Sequence, residues 1–147
     1  MQCFSLAGDW LLRDLTDDSE RAGRLPGCNY TDLWRADEIP DPYAGKNEFA
    51  VQWVARRDYC YSRSFALPQD FLRGEHVDLL LSGVDTLAEI RVNGELLAQT
   101  DNAHRTYRLP AKHCLRAGEN EIAITLKAPL TAAEHLDANR HVAQLAM

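Results

Sequence analysis

Apolar and polar residues alternate along several short stretches of the chain, and this pattern predicts β-strands. Within residues 58–65, aromatic side chains recur at even spacings, at Tyr59, Tyr61 and Phe65, as expected of a strand with one buried face. Comparable strand patterns occur in residues 5–15, 76–82 and 121–128, of which the leucine-rich second is expected to be buried. About seven short strands with a turn every 8–12 residues indicate a β-sandwich.

The Asn-Gly pair at residues 93–94 predicts a β-hairpin. Both residue types tolerate the positive φ angles that a two-residue type I′ turn requires. That turn places Val92 opposite Glu95. Ile90 then lies opposite Leu97, and we expect the two to form an apolar cross-strand pair.

A short helix is predicted over residues 29–36. Asn29 or Thr31 can cap its first turn, because both side chains accept a hydrogen bond from a free backbone N–H. Leu33 and Trp34 are expected to supply its buried contacts.

A proline-rich loop precedes a second short helical turn. Pro40 and Pro42 fix two φ angles and keep the residues before them out of the helical region. Asn47 can cap the turn, which carries Trp53.

Further along the chain, residues 109–115 are expected to be a connection between elements.

The end of the chain has a weakly amphipathic pattern that predicts a helix over residues 131–145. The length of 147 residues suits one sandwich domain. We therefore expect a β-sandwich domain in residues 1–130 and a helical segment in residues 131–147.

Composition and charge exclude some classes of protein. The net charge of −6 disfavours nucleic acid and anionic membranes as partners. No apolar run reaches the ~20 residues that span a bilayer. The first residues lack the basic and apolar segments of a signal peptide, so a cytoplasmic location is expected.

The chain contains four cysteines, and no two of them share metal-ligand spacing. We expect four reduced, mostly buried thiols, as is usual in the cytoplasm. Disulfide pairing is the alternative, and its connectivity cannot be assigned from sequence. No metal and no cofactor are expected.

Candidate chemistry is sparse. The chain has 22 acidic residues, so close carboxyl pairs arise by chance, and only Asp41 and Glu48 beside the rigid loop merit attention. In the alternative interpretation, Asp41 caps a turn and Glu48 pairs with a base or a backbone N–H. The Gly-x-Ser-x-Gly motif of serine hydrolases and Gly-rich phosphate loops are absent.

The central part of the chain resembles the N-terminal domain of β-mannosidases in glycoside hydrolase family two. The motifs that carry the resemblance are Ile39-Pro40-Asp41-Pro42-Tyr43, Gly45-Lys46-Asn47-Glu48, Trp53-Val54 and Asp58-Tyr59-Cys60-Tyr61-Ser62-Arg63-Ser64-Phe65. Tyr59 departs from the pattern, because many relatives have tryptophan there.

The resemblance implies an all-β fold, a jelly-roll β-sandwich of the galactose-binding-domain-like type with short decorating helices, incomplete at its C-terminal end. The family's catalytic glutamates lie in a following (β/α)8 barrel, so no catalytic residue is expected in this chain. The expected core residues are Trp10, Trp34, Trp53, Tyr61 and Phe65. The residues expected at the rim of the substrate pocket are Asp41, Tyr43, Asn47, Glu48 and Asn102.

The implied partners are a carbohydrate (a β-mannoside) within the full enzyme, the barrel domain and, through an unpaired sheet edge, a second copy of the chain. Two alternatives to this role stay open, a stand-alone carbohydrate-binding module and a purely structural interface domain.

Overall fold

The computed structural model describes residues 2–138. The strands in this range are β1 Gly8–Asp14, β2 Glu20–Leu25, β3 Tyr59–Leu67, β4 Asp78–Leu81, β5 Ala88–Val92, β6 Glu95–Thr100, β7 Tyr107–Pro110 and β8 Gly118–Leu126. The α-helices are α1 Asn29–Arg35, α2 Asn47–Ala50 and α3 Pro129–Ala138. Short 3-10 turns cover Gln52–Arg56, Gln69–Arg73 and Lys112–Cys114.

The strands form two antiparallel sheets. The larger sheet has six strands in the order β2-β1-β3-β8-β5-β6, and the smaller consists of β4 and β7. Strand β3 lies inside the large sheet, where β1 and β8 pair with its two sides. The all-β sandwich predicted from the sequence is confirmed.

The core lies on the inner face of the large sheet. Alternate residues of β1 and β3 point into it, as the period of two requires. The small sheet covers one half of this face, where Phe65, Leu79 and Ile122 line a small, partly open cavity of about 60 Å³. On the other half, the segment from α1 to the 3-10 turn inserts the fully buried Leu33 and Val54.

The hairpin turn is confirmed, with positive φ at both Asn93 and Gly94. Val92 faces Glu95, as expected. The predicted pairing of Ile90 with Leu97 is wrong, because a β-bulge between Ile90 and Arg91 shifts the register and places Ala98 opposite Ile90.

Trp34 is not a core residue, since 45% of its surface is exposed. Helix α1 places Asp32 and Leu33 against the core. Successive helical residues point about 100° apart, so Trp34 faces outward. The N-cap position is held by Cys28 and not by Asn29 or Thr31 as predicted, but Thr31 does take part in the cap, because its hydroxyl accepts the backbone N–H of Cys28 at 3.3 Å. The other core predictions agree with the burial, with Trp10, Tyr61 and Phe65 buried and Trp53 packed against the core.

Two strand expectations also need correction. Residues 107–110 form β7, and its last two residues lie in the stretch 109–115 for which the sequence predicted a connection. Strand β4 is only half-buried, because the outer face of a two-stranded sheet remains open and leaves Leu80 exposed.

All four cysteines are free, but they are not mostly buried as predicted. Cys114 alone among them is buried, and that burial raises the pKa of its thiol. Cys3 lies in the N-terminal segment and Cys28 at a helix start, and both are exposed.

Helix α3 begins at Pro129, where the missing N–H costs nothing in the first turn. The predicted helix over residues 131–145 is confirmed as far as Ala138, and the rest lies outside the described residues. No helix in the described part of the chain is long and apolar enough to cross a membrane.

Candidate functional site

The two predicted site segments, the proline-rich loop and the turn that carries Asn102, both connect to the same end of the large sheet. Across five strands the register aligns the residues Asp14, Tyr59, Leu126, Ala88 and Thr100. We call this the Tyr59 end. The proline-rich loop leads through α2 and the 3-10 turn into Tyr59, whereas Asn102 follows Thr100 directly.

The loop of residues 40–48 is stiffened by its own hydrogen bonds. The carboxylate of Asp41 accepts the backbone N–H of Tyr43 at 2.9 Å, and the Asn47 amide donates to the Asp41 carbonyl at 3.0 Å. Asp41 therefore caps a turn, as the alternative interpretation held. Tyr43 is 92% exposed, and the exposed Glu48 has no hydrogen bond or ion pair with the described residues.

Asn102 lies in the turn between β6 and β7. Its backbone N–H and that of Asp101 both donate to the phenolic oxygen of the buried Tyr107, at 3.0 and 3.1 Å. The Asn102 side chain accepts the backbone N–H of His104 at 2.9 Å. The structure thus brings Asp41 and Asn47 into contact, but no hydrogen bond within residues 2–138 joins Asn102 to their loop.

An open groove of about 560 Å³ lies at the Tyr59 end, beside Asn102. The buried residues Ala88, Thr100 and Tyr107 line it. The polar side chains along it are Glu89, Gln99, Asp101, Arg105 and Lys127.

A charged cluster at the same end escaped sequence analysis. The Arg57 guanidinium donates to the buried carboxylate of Asp14 at 2.7 Å and to Asp17 at 3.0 Å, while it stacks 4.5 Å from the Trp53 ring. The hydrogen bond to Asp14 is the main reason that the pKa of Arg57 is raised. A signal existed, because Asp14 continues the inward-facing series of Trp10 and Leu12. A buried carboxylate needs a partner of opposite charge or a hydrogen-bond donor.

Strand β3 holds the segments around it through the residues of the predicted motif. At its start, Asp58 accepts the N–H of Ala128 at 2.7 Å and the Lys127 ammonium at 3.2 Å, which fixes the junction between β8 and α3. Further along, Arg63 donates to the carbonyls of Leu6 and Ala7 at 2.8 and 2.9 Å, which holds the N-terminal segment.

Tyr61 connects β3 to α1 through a buried hydrogen bond. Its O–H donates to Asp32 at 2.6 Å, and Asp32 also accepts from Arg35 at 3.1 Å. Burial first, and then this hydrogen bond to a carboxylate, raises the pKa of Tyr61 well above its ordinary value. The motif residues Asp58, Tyr61 and Arg63 therefore have structural contacts.

The described residues contain no group of three or more His, Cys, Asp or Glu side chains that could hold a metal ion. Asp41 is committed to its turn, and no hydrogen bond in this part of the chain links it to Glu48. The arrangement offers binding groups and a stiff loop. The two antiparallel sheets define a β-sandwich of the galactose-binding-like class.

The chain belongs to the glycosyl hydrolase 2 galactose-binding domain-like family, whose model matches residues 10–146. The crystal structure of the β-D-mannosidase from Dictyoglomus thermophilum superposes with a TM-score of 0.93 at 34% identity, over 97% of this chain and 18% of that chain. A probable β-mannosidase of Caenorhabditis elegans is 31% identical over 131 residues, 88% of this chain and 14% of that protein. The β-mannosidase of Capra hircus is 29% identical over 140 residues, 95% of this chain and 16% of that protein.

The resemblance seen in the sequence is therefore confirmed, and so is the galactose-binding-like fold. An exo-chitosanase from Amycolatopsis orientalis shares that fold with a TM-score of 0.74 at 15% identity. The chain spans only 14–16% of the length of the animal β-mannosidases that it matches.

Proposed function

We propose that this chain is the non-catalytic N-terminal domain of a β-mannosidase, where it packs against a (β/α)8 barrel and helps to shape the pocket for a terminal β-linked mannose. The observation that carries the proposal is the superposition of nearly the whole chain on a small part of one much longer β-mannosidase. Retaining glycoside hydrolysis requires two carboxyl groups about 5–5.5 Å apart. In this proposal the barrel supplies both.

The proposed pocket rim consists of Asp41, Tyr43, Asn47 and Glu48 on the proline-rich loop, with Asn102 on the neighbouring turn. The internal hydrogen bonds of the loop support this role, because a surface that positions a substrate must keep its shape. The exposure of Tyr43 and the unpaired carboxylate of Glu48 leave both free to contact a second domain.

The proposal can be tested by adding the purified chain to the Dictyoglomus thermophilum β-mannosidase from which the matching segment has been removed. Hydrolysis of a chromogenic β-mannoside should increase on addition. Tyr43→Ala should lower the recovered kcat/KM by about tenfold, the equivalent of 1.4 kcal/mol. Leu80→Ala is the matched control, since Leu80 is also strongly exposed but lies on β4. Equal effects of the two substitutions would contradict the rim assignment, and no recovery at all would contradict the proposed function.

A stand-alone carbohydrate-binding module is the second candidate, and the exposure of Trp34 favours it. Aromatic rings displayed to solvent can stack on apolar faces of ligands. Calorimetric titration of mannobiose into the chain tests this function. Binding that is lost in Trp34→Ala would support it, and no heat of binding would contradict it.

We also propose a cytoplasmic location, which the four free cysteines support. Labelling the thiols in lysed cells should modify Cys3 and Cys28, whereas a disulfide at either position would contradict it.

The division into residues 1–130 and 131–147 is likewise proposed, and limited proteolysis should cleave near residue 130 before any site in the sheets.

Homodimer formation is proposed for the isolated chain. The small sheet has two strands, so each has an edge without a partner strand in the described structure. Light scattering should give twice the mass of one chain, and a monodisperse monomer would contradict this.

A further inference from the structure

We propose that Arg57 is a positioning residue for the proline-rich loop, whose exit it holds in place through Trp53. The inference rests on the proposed function, because it concerns how residues 40–48 are kept at the pocket rim. It extends that function to the 3-10 turn Gln52–Arg56, which leads out of the loop and ends beside Arg57.

The proline-rich loop is a span between two buried anchors. Ile39 is buried at its entry and Val51 at its exit, whereas none of residues 40–50 is buried. The hydrogen bonds that stiffen the span close within it, as from the backbone N–H of Ala44 to the Asp41 carbonyl at 3.2 Å. Such bonds fix the shape of the loop, so its placement on the sandwich depends on the two anchors.

The exit anchor continues from Val51 into the 3-10 turn. Val54 is fully buried, and the partly buried Trp53 packs against the core. The guanidinium of Arg57 lies 4.5 Å from the centroid of the Trp53 ring, a distance at which a cation is attracted to the face of an aromatic ring. Trp53 therefore contacts both the core and Arg57, and loss of the contact with Arg57 frees the exit of the loop.

Arg57 is itself fixed by the end of β1 and the turn that follows it. Its Nη1 atom donates to Oδ2 of Asp14 at 2.7 Å and to Oδ2 of Asp17 at 3.0 Å. The side chain of Asp14 is 2% exposed, and its other oxygen accepts the backbone N–H of Thr16 at 2.8 Å. Hydrogen bonds between two charged groups are stronger than neutral ones, and a buried carboxylate that loses its cation is costly. Arg57 is therefore held firmly enough to serve as a support.

A second ion pair reaches the same 3-10 turn but is a weaker support. Arg56 pairs with Glu134 of α3 at 2.8 Å, and the two side chains are 54% and 61% exposed. Exposed pairs contribute little, because water screens them and two long side chains must be ordered. The structure therefore assigns the positioning role to Arg57 and not to Arg56.

Hydrogen exchange of the backbone amides in the ¹⁵N-labelled chain, measured by NMR, tests this role directly. Arg57→Met should make the hydrogen-bonded amides of Asn47 and Val51 exchange about tenfold faster. Arg57→Lys keeps the charge but lacks the planar group that stacks on tryptophan, so it should give an intermediate rate. It also decides the matter if Arg57→Met does not fold.

Arg63→Met is the matched control. Arg63 also donates two hydrogen bonds, at 2.8 and 2.9 Å, but to the N-terminal segment. Its loss should leave the exchange of Asn47 and Val51 unchanged. Wild-type rates at these two amides in both Arg57 variants would overturn the proposal. An equal increase in Arg63→Met would also overturn it, because it would show only a general loss of stability.

A kinetic test uses the chain added in excess to the β-mannosidase that lacks the matching segment. Arg57→Met should raise the KM for the chromogenic β-mannoside by about tenfold, whereas Arg63→Met should leave the KM unchanged. Equal KM values for the two variants would overturn the positioning role. The exchange measurement needs no barrel. Failure of the wild-type chain to restore any activity would therefore contradict the proposed function, whereas wild-type exchange in the Arg57 variants would contradict this inference alone.

Discussion

Two tyrosines on one face of β3 allow a sharp test of what holds the sandwich together. Tyr59 and Tyr61 are both buried, with 1% and 2% of their surface exposed. The hydroxyl of Tyr61 donates to Asp32 at 2.6 Å, whereas the buried hydroxyl of Tyr59 has no hydrogen-bond partner among residues 2–138. Replacing each with phenylalanine removes one oxygen from nearly the same environment.

The two substitutions should have different effects on the free energy of unfolding. Tyr61→Phe removes a hydrogen bond to a carboxylate, which contributes about 1.5–3 kcal/mol. It also leaves Asp32, which is 2% exposed, with fewer partners. Tyr59→Phe removes an unpaired buried hydroxyl, so it should be neutral or stabilising by up to about 1 kcal/mol. The difference between the variants should be at least about 1.5 kcal/mol.

Urea denaturation followed by tryptophan fluorescence measures this difference. For a slope of about 2 kcal/mol/M, a loss of 2 kcal/mol lowers the midpoint by about 1 M. The slope itself should not change, because the surface exposed on unfolding is the same. Equal midpoints for Tyr59→Phe and Tyr61→Phe would refute the conclusion that the bond between Tyr61 and Asp32 stabilises the contact between β3 and α1.

Three further predictions concern β3 and its neighbours. Arg63→Met should destabilise the fold by about 1–3 kcal/mol and increase hydrogen exchange around Leu6, whereas unchanged exchange would show that Arg63 does not hold the N-terminal segment. Gly23→Ala should cost about 1–3 kcal/mol, because the new methyl group would lie 2.8 Å from the Tyr61 ring; a wild-type thermal midpoint would contradict this packing. Burial raises the pKa values of Tyr59 and Tyr61 above the ordinary 10 or so. The neutral forms are thus favoured in the fold, so stability should be independent of these groups below about pH 10 and should fall above it by about 1.4 kcal/mol per pH unit for each tyrosine. Tyr61→Phe should reduce this slope, and an unchanged slope in alkaline urea titrations would be inconsistent with the prediction.

Strand β3 could be predicted from sequence because its period of two coincides with large aromatic residues that only a buried face accommodates. The turn at residues 93–94 was equally predictable, since its chemistry is local. The bulge after Ile90 was not, because β5 pairs with β6 on one side and β8 on the other, and the register must satisfy both. Strand β7 has four residues and ends at Pro110, too short for a clear alternation.

Part of the candidate site could also be predicted from sequence, and part of it could not. The turn at Asp41 follows from neighbouring residues, so the sequence revealed it. The groove joins residues 87–89, 99–107 and 127, and only the pairing of β5 with β6 and β8 brings these segments together. Trp34 was misassigned because α1 is only seven residues long, which is too short to show which side of a helix is apolar.

The proposed function requires that a barrel, and not this sandwich, performs the hydrolysis. The most direct test is the rate of chromogenic β-mannoside hydrolysis by the purified chain, alone and fused to the barrel of a related β-mannosidase. We expect no turnover above buffer for the chain alone and measurable turnover for the fusion. Turnover by the chain alone that is abolished by substitution of Asp41 or Glu48 would contradict it.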